Sequence, residues 1–158
     1  MVNKISIEEN TIWKILGTIC DPEIPVLTIL DLGIVRSVDI ADDAIEITIT
    51  PTYTACPAMD MINMNIQFAI KESGYNNVKV NTVLSPVWTT EWISNEGKRK
   101  LSDYGIAPPL GIDKTGIIHC PQCNSGDIKL LSEFGSTACK AMYQCNDCKE
   151  PFDYFKCH

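Results

Sequence analysis

Hydrophobic side chains recur along this chain with two different periods. Ile12, Ile15, Leu16 and Ile19 follow the three- and four-residue spacing of one helix face. Ser6-Ile-Glu-Glu9 precedes them with the form of a capping box, in which hydroxyl and carboxylate each satisfy the other's backbone amide. Asp21-Pro22 predicts the end of that helix, because the residue before proline is pushed out of the α region. A strand is expected over 34–40, and Asp42-Asp43 turns the chain. Ile45, Ile47 and Ile49 then alternate with Glu46, Thr48 and Thr50, the period of a half-buried strand. Pro57 to Ser73 reads as a second helix with a broad apolar face (Met61, Ile62, Met64, Ile66, Phe68, Ala69, Ile70), and Gly74 is placed as its stop. A third strand is expected over 78–84 and a short helix from Ser94 to Tyr104.

The order α-β-β-α-β predicts an α/β (α+β) fold, a small sandwich with helices against one sheet. Ala107-Pro-Pro-Leu-Gly111 interrupts it as a linker stiffened by two prolines. The expected division is a first domain over 1–106, a linker over 107–116 and a cysteine-bearing tail over 117–158. No internal repeat and no low-complexity segment is visible.

Composition narrows the class. Of 158 residues, 45% are hydrophobic and 21% charged, which are globular values rather than those of a disordered chain. No apolar run approaches the ~20 residues a membrane helix needs, so no membrane partner is expected. Residues 1–11 are polar and lack the basic start and apolar stretch of a signal peptide. A cytoplasmic location follows as an expectation, and with it metal ligation or reactivity, rather than disulfides, for the eight cysteines. Net charge is −7: residues 1–116 hold 9 basic and 15 acidic side chains, and residues 117–158 hold 4 and 5. Neither part attracts phosphate, so a protein partner is expected and no nucleic acid.

The tail carries the strongest chemical signal. Cys120-Pro-Gln-Cys123 and Cys145-Asn-Asp-Cys148 are separated by 21 residues. Two such knuckles supply four sulfurs for a closed tetrahedral zinc site, at ~2.3 Å each. Four thiolates leave no open position, so the zinc is expected to be structural. Spacing alone leaves a redox iron site with the same ligands open. A segment this short cannot bury enough apolar surface to fold alone, and the metal replaces the missing core. Cys139 reads as a spare thiol facing the ribbon interior; Cys157, His158 and His119 are further candidate ligands, with a solvated histidine the alternative at His119, and Cys20 reads as a packing residue.

Two motifs in the first domain could carry reactivity. In Thr54-Ala-Cys56-Pro57 the proline fits a first helical position, which makes Cys56 the residue capping the second helix. Unpaired amides and the helix dipole there predict a thiol that ionises more easily than a free one. A thiolate so placed can bind a soft metal, form a persulfide or attack an electrophile; the alternative is a cysteine buried as a small hydrophobe. Asp21-Pro-Glu-Ile-Pro25 is a rigid loop presenting Asp21 and Glu23 to cap a backbone, move protons or ligate metal, with a purely structural loop as the alternative. Trp88 and Trp92, four apart, would share a face on a helical turn, as a core stack or a docking surface.

Asp21-Pro-Glu-Ile-Pro25, Asp31-Leu-Gly-Ile-Val35 and Cys56-Pro57 at a helix start resemble the SufT-like domain of iron–sulfur cluster assembly factors. The tail is similar to that of the phenylacetate-degradation protein D family. It shares Cys-Pro-x-Cys, Ser-Glu-Phe-Gly-Ser-Thr-Ala-Cys-Lys-Ala and Cys-x-x-Cys-x-Glu-Pro-Phe. This second resemblance is the more specific, since zinc binding does not require the residues between the knuckles. Together they imply an accessory protein of the oxygenase that epoxidises phenylacetyl-CoA, with its oxygenase and reductase subunits as partners. The implied role is maturation of an iron–sulfur or di-iron centre, with a transient iron or iron–sulfur cluster contact. Cys56 and Asp21 match the assembly family's motif positions. A non-catalytic subunit bridging oxygenase and reductase is the alternative. An enzyme with Cys56 as nucleophile is a weaker one, because neither histidine has a triad context. One departure stands out: Ala55 occupies the place before the cysteine where glycine is expected, so a positive φ there would strain the loop.

Overall fold

The alternating isoleucines form the middle strand of a three-stranded sheet in the computed structural model, which describes residues 8–109 and 116–156. The first elements are α1 (Glu9–Leu16), β1 (Val35–Ala41), β2 (Ala44–Ile49), α2 (Ala58–Glu72) and β3 (Val78–Thr82). β1 and β2 are an antiparallel hairpin with Val38 opposite Ile47 and Ile40 opposite Ile45. β3 joins the other side of β2 in parallel, with Ile47 opposite Val80. That parallel pairing requires a crossover, and α2 is that crossover. Ile45, Ile47 and Ile49 are at most 1% exposed, so the period-two pattern marks the core face. α1 lies against β1 and α2.

Several boundaries differ from expectation for identifiable reasons. α1 stops at Leu16, before the proline. The chain tightens there through Thr18 N to Ile15 O and Ile19 N to Leu16 O, and the Thr18 hydroxyl donates to Ile15 O at 2.7 Å. Ser6 lies outside the described residues. Glu9 accepts a hydrogen bond from the Trp13 indole at 3.0 Å. α2 is not apolar on one broad face: Ala58, Met59, Ile62, Ile66 and Ile70 face inward, whereas Met61, Met64 and Phe68 are exposed. β3 ends at Thr82, two residues early. Trp88 is on no helix. It is buried, and its indole N–H donates to Leu32 O at 2.8 Å, while Trp92 ends a separate short turn, Thr90–Trp92.

The chain between α1 and β1 is irregular but well bonded. Cys20 bridges Thr28 in an antiparallel pair. Thr28 and Asp31 cap each other, Thr28 N to Asp31 Oδ2 and Asp31 N to Thr28 Oγ1, both at 3.0 Å. Gly33, at φ +67°, then closes the turn, and Ile34 N reaches back to Ile29 O.

A second compact unit begins at Thr89. It contains α3 (Asn95–Asp103), β4 (Ile106–Ala107), β5 (Ile128–Ser132), β6 (Lys140–Cys145) and β7 (Pro151–Phe155). The Ser94 hydroxyl caps α3 by accepting from Gly97 N at 2.9 Å. The sheet order is β4-β7-β6-β5, antiparallel except for β4 beside β7. Ile106 and Ala107 are thus strand residues, and positions 110–115 of the expected linker lie outside the described residues. One buried cluster of this unit is Ala107, Cys120, Cys145 and Phe152, flanked by Ile118, Ile128, Tyr143 and Tyr154, and Leu101, Ile106 and Phe155 are buried as well. Among the described residues no helix is long and apolar enough to cross a membrane.

Candidate functional site

The two knuckles are built alike. In each, the first cysteine's amide donates across the loop, Cys120 N to Ser125 O at 2.8 Å and Cys145 N to Glu150 O at 3.0 Å. The residue after each second cysteine is left-handed, Asn124 at φ +62° and Lys149 at φ +68°. Amides of the loops point at the buried sulfurs, Gln122 N to Cys120 Sγ at 3.4 Å and those of Cys148 and Asp147 to Cys145. Ser125 with Asp147, and Asn146 with Asp127, tie one knuckle to the other.

This framework brings all four sulfurs within 4.8 Å of one another. Cys120 and Cys148 sulfurs are 3.7 Å apart, and those of Cys123 and Cys145 3.5 Å. Four sulfurs bound at ~2.3 Å to a tetrahedral zinc lie about 3.8 Å apart, so the donor set fits that ion in type, number and spacing. The thiols influence one another. The Cys148 and Asp147 amides lead in lowering Cys145 to about 7. The Glu150 amide favours the Cys148 thiolate, but burial and the neighbouring sulfurs push it up to about 12. A divalent cation removes that conflict by neutralising the shared charge. His119 lies beside the first knuckle with Nδ1 3.1 Å from Asn124 O, turned to the backbone. Cys139 is buried, its sulfur 3.0 Å from the Thr137 hydroxyl. Neither belongs to the sulfur cluster. Cys157 and His158 lie outside the described residues.

Cys56 stands at the entrance to α2. Its amide donates to Tyr53 O at 3.2 Å and its carbonyl accepts from Met59 N at 3.2 Å, a tight turn feeding the helix. Pro57 already has helical dihedrals, φ −68° and ψ −20°. Ala55 is left-handed at φ +62°, the conformation glycine would adopt without a Cβ clash. The expectation of an easily ionised thiol is reversed. Burial, the largest influence, raises the Cys56 pKa above its ordinary 9.0. The Ala58 amide and the Tyr53 and Thr52 hydroxyls pull the other way, and the Glu23 carboxylate raises it further. Helix-entry amides do act on the sulfur, but desolvation outweighs them. The side chain is half-buried and reachable from solvent.

The acidic loop divides its labour. Asp21 is 7% exposed, and its Oδ1 accepts from the amides of Glu23 and Ile24, both at 2.8 Å. It organises the loop, and Glu23 is the carboxylate whose charge acts on Cys56. Residue type and spacing left the two carboxylates equal, the family resemblance favoured Asp21, and no sequence signal ranked Glu23 above it. The hydroxyls of Thr52 and Tyr53 were likewise missed, although two hydroxyl residues just ahead of a helix-start cysteine are a visible cue. Cys20 is exposed, on the bridge to Thr28.

Comparison with known proteins divides the chain in the same two parts. Residues 9–82 match the model of an iron–sulfur cluster assembly protein family, and residues 110–156 that of the PaaD zinc beta ribbon domain. The chain is 47% identical over 150 residues to a putative 1,2-phenylacetyl-CoA epoxidase component of Escherichia coli, covering 92% of this chain and 91% of that protein. It is 34% identical over 103 residues to an Fe-S protein maturation auxiliary factor of Porphyromonas gingivalis, covering 64% of this chain and 97% of the relative. Among solved structures, a domain of unknown function from Bacillus anthracis aligns with a TM-score of 0.56 at 29% identity, over 59% of this chain and 90% of that one. A conserved hypothetical protein from Thermotoga maritima aligns with a TM-score of 0.52 at 31% identity, over 60% and 94%.

Proposed function

The chain belongs to the phenylacetate-degradation protein D family, and from that premise we propose that it is a cytoplasmic maturation factor for the metal centres of a phenylacetyl-CoA epoxidase. Its clients are the oxygenase and reductase subunits. The observation that carries the reading is a reachable thiol, Cys56, at a helix entrance on a domain that matches an iron–sulfur assembly family. Zinc held by Cys120, Cys123, Cys145 and Cys148 supplies a structural cross-link when bound.

Iron, alone or in a cluster, is the cargo. On loading, the Cys56 S–H bond breaks, the proton passes to solvent, and the thiolate displaces a water or donor ligand from the iron. On delivery a client ligand (a thiolate for a cluster, a carboxylate or histidine for a di-iron site) displaces Cys56, which regains a proton from solvent. No oxidation state changes. A thiol that prefers its proton is suited to the second step, because reprotonation favours release. Asp21 acts as a positioning residue by fixing the loop that carries Glu23.

The test is iron analysis of the oxygenase and reductase purified from cells carrying Cys56→Ser. Iron content and turnover are expected to fall together, and fully metallated, active enzymes would sink the reading. A second reading, a non-catalytic bridge between the two, is favoured by the exposed apolar side chains of α2. Oxygenase that stays active after this protein is stripped away would reject it.

A further inference from the structure

The outward side of α2 carries a feature that the metal chemistry leaves unused. Met61, Met64 and Phe68 are 53%, 70% and 67% exposed, at the i, i+3, i+7 spacing that places them on one face. In ~100° steps around the helix, that face lies opposite the Ile62, Ile66 and Ile70 stripe facing the sheet. Single exposed apolar residues are ordinary, but three large ones over about two turns form a continuous strip. Asn65 is the exposed polar neighbour within it, and the strip is uncharged between Asp60 at one end and Lys71 and Glu72 at the other. Methionine adapts its shape to what it meets, and an exposed phenylalanine supplies a rigid anchor.

Charge decides what can cover this strip. Residues 1–88 hold five basic and eleven acidic side chains, a net charge of −6. A second copy would bring a unit of the same net negative charge to the contact, and like net charges oppose pairing. We propose that the α2 strip is the docking surface for a client protein whose own patch is apolar and rimmed by lysine and arginine. The strip starts five residues beyond Cys56, about 8 Å along the helix axis, so a seated client lies within reach of the thiol. The inference rests on the maturation reading for the choice of client, and deepens it by naming the surface that receives it.

The experiment uses the full chain with its metal retained and the purified reductase and oxygenase of the phenylacetyl-CoA epoxidase, each titrated separately by calorimetry. Wild type is expected to bind at least one of them. The double variant Met64→Asp, Phe68→Asp, checked for fold by circular dichroism, is expected to bind at least ~10-fold more weakly, since anchor residues dominate such contacts. Raising salt from about 50 to about 500 mM is expected to weaken wild-type binding several-fold through screening of the charged rim. Unchanged affinity in the double variant, indifference to salt, or binding of neither client by wild type would each overturn the proposal. So would a wild-type dimer in sedimentation that the double variant abolishes, which assigns the strip to a second copy. Cys56→Ser separates the two readings: it is expected to dock as wild type yet deliver no iron. A Cys56→Ser protein that both docks and delivers would remove the carrier reading and leave the docking surface standing.

Discussion

The ribbon sulfurs and the Cys56 sulfur are held by opposite means. Cys120, Cys123, Cys145 and Cys148 converge from two knuckles, and two of them, Cys120 and Cys145, are themselves part of a buried cluster. A metal bound there would be part of the fold. Cys56 sits on a unit with a full isoleucine core, and backbone hydrogen bonds fix its turn. One set of four sulfurs is arranged to surround an ion, whereas the other sulfur stands alone in a turn fixed by the backbone. On the proposed function the closed set would keep its metal and the half-exposed thiol would release one.

The largest effect that tests this contrast is metal removal. Chelation at neutral pH, or Cys145→Ser, is expected to unfold the β5–β7 ribbon, since structural zinc contributes about 10 kcal/mol or more in small domains. Amide spectra should show the β1–β3 sheet unchanged, and a ribbon that kept its signals without metal would erase the contrast. Next in size is Asp21→Ala, which leaves the Glu23 and Ile24 amides without their acceptor. A loss of about 1–3 kcal/mol in urea unfolding is expected. Lost function at full stability would instead give Asp21 a chemical role. Smaller still is Ala55→Gly. It relieves a left-handed alanine at about 1–2 kcal/mol but adds flexibility to the unfolded chain, so a net gain of roughly 0.5 kcal/mol is expected.

The smallest effect is kinetic. Burial raises the Cys56 pKa, so less of this thiol is ionised at neutral pH than of a free cysteine and the reactive thiolate accumulates at more alkaline pH. Alkylation by iodoacetamide is expected to be slower than for free cysteine at pH 7 and to rise through the alkaline range. Tyr53→Phe, which removes a donor to the sulfur, moves the midpoint higher. A midpoint below 9.0 would restore the helix-entry amides as the dominant influence.

Much of this was legible beforehand, and the misses share a cause. Cysteine spacing marked the four converging sulfurs because a tight loop can point two thiols in only a few ways. Ile45, Ile47 and Ile49 announced their strand because alternation has a single geometric reading. Pro57 and Gly74 bracketed α2 through local chemistry. The ionisation of Cys56 was misread because amides near in sequence were visible, whereas the burial that outweighs them comes from the packed unit. The influence of Glu23 was missed because which of two carboxylates acts on the thiol depends on tertiary structure. The two sides of α2 merged into one for the same reason: an apolar residue's type does not say whether the core or a partner receives it.

The crossover role of α2 also has a temporal meaning. β1 and β2 are joined by their own short turn, whereas β3 pairs with β2 across the long segment that contains α2, a less local contact that is expected to close more slowly. The bend containing Cys56 is the first leg of that segment. The bend is therefore expected to settle into its final shape after the hairpin has closed.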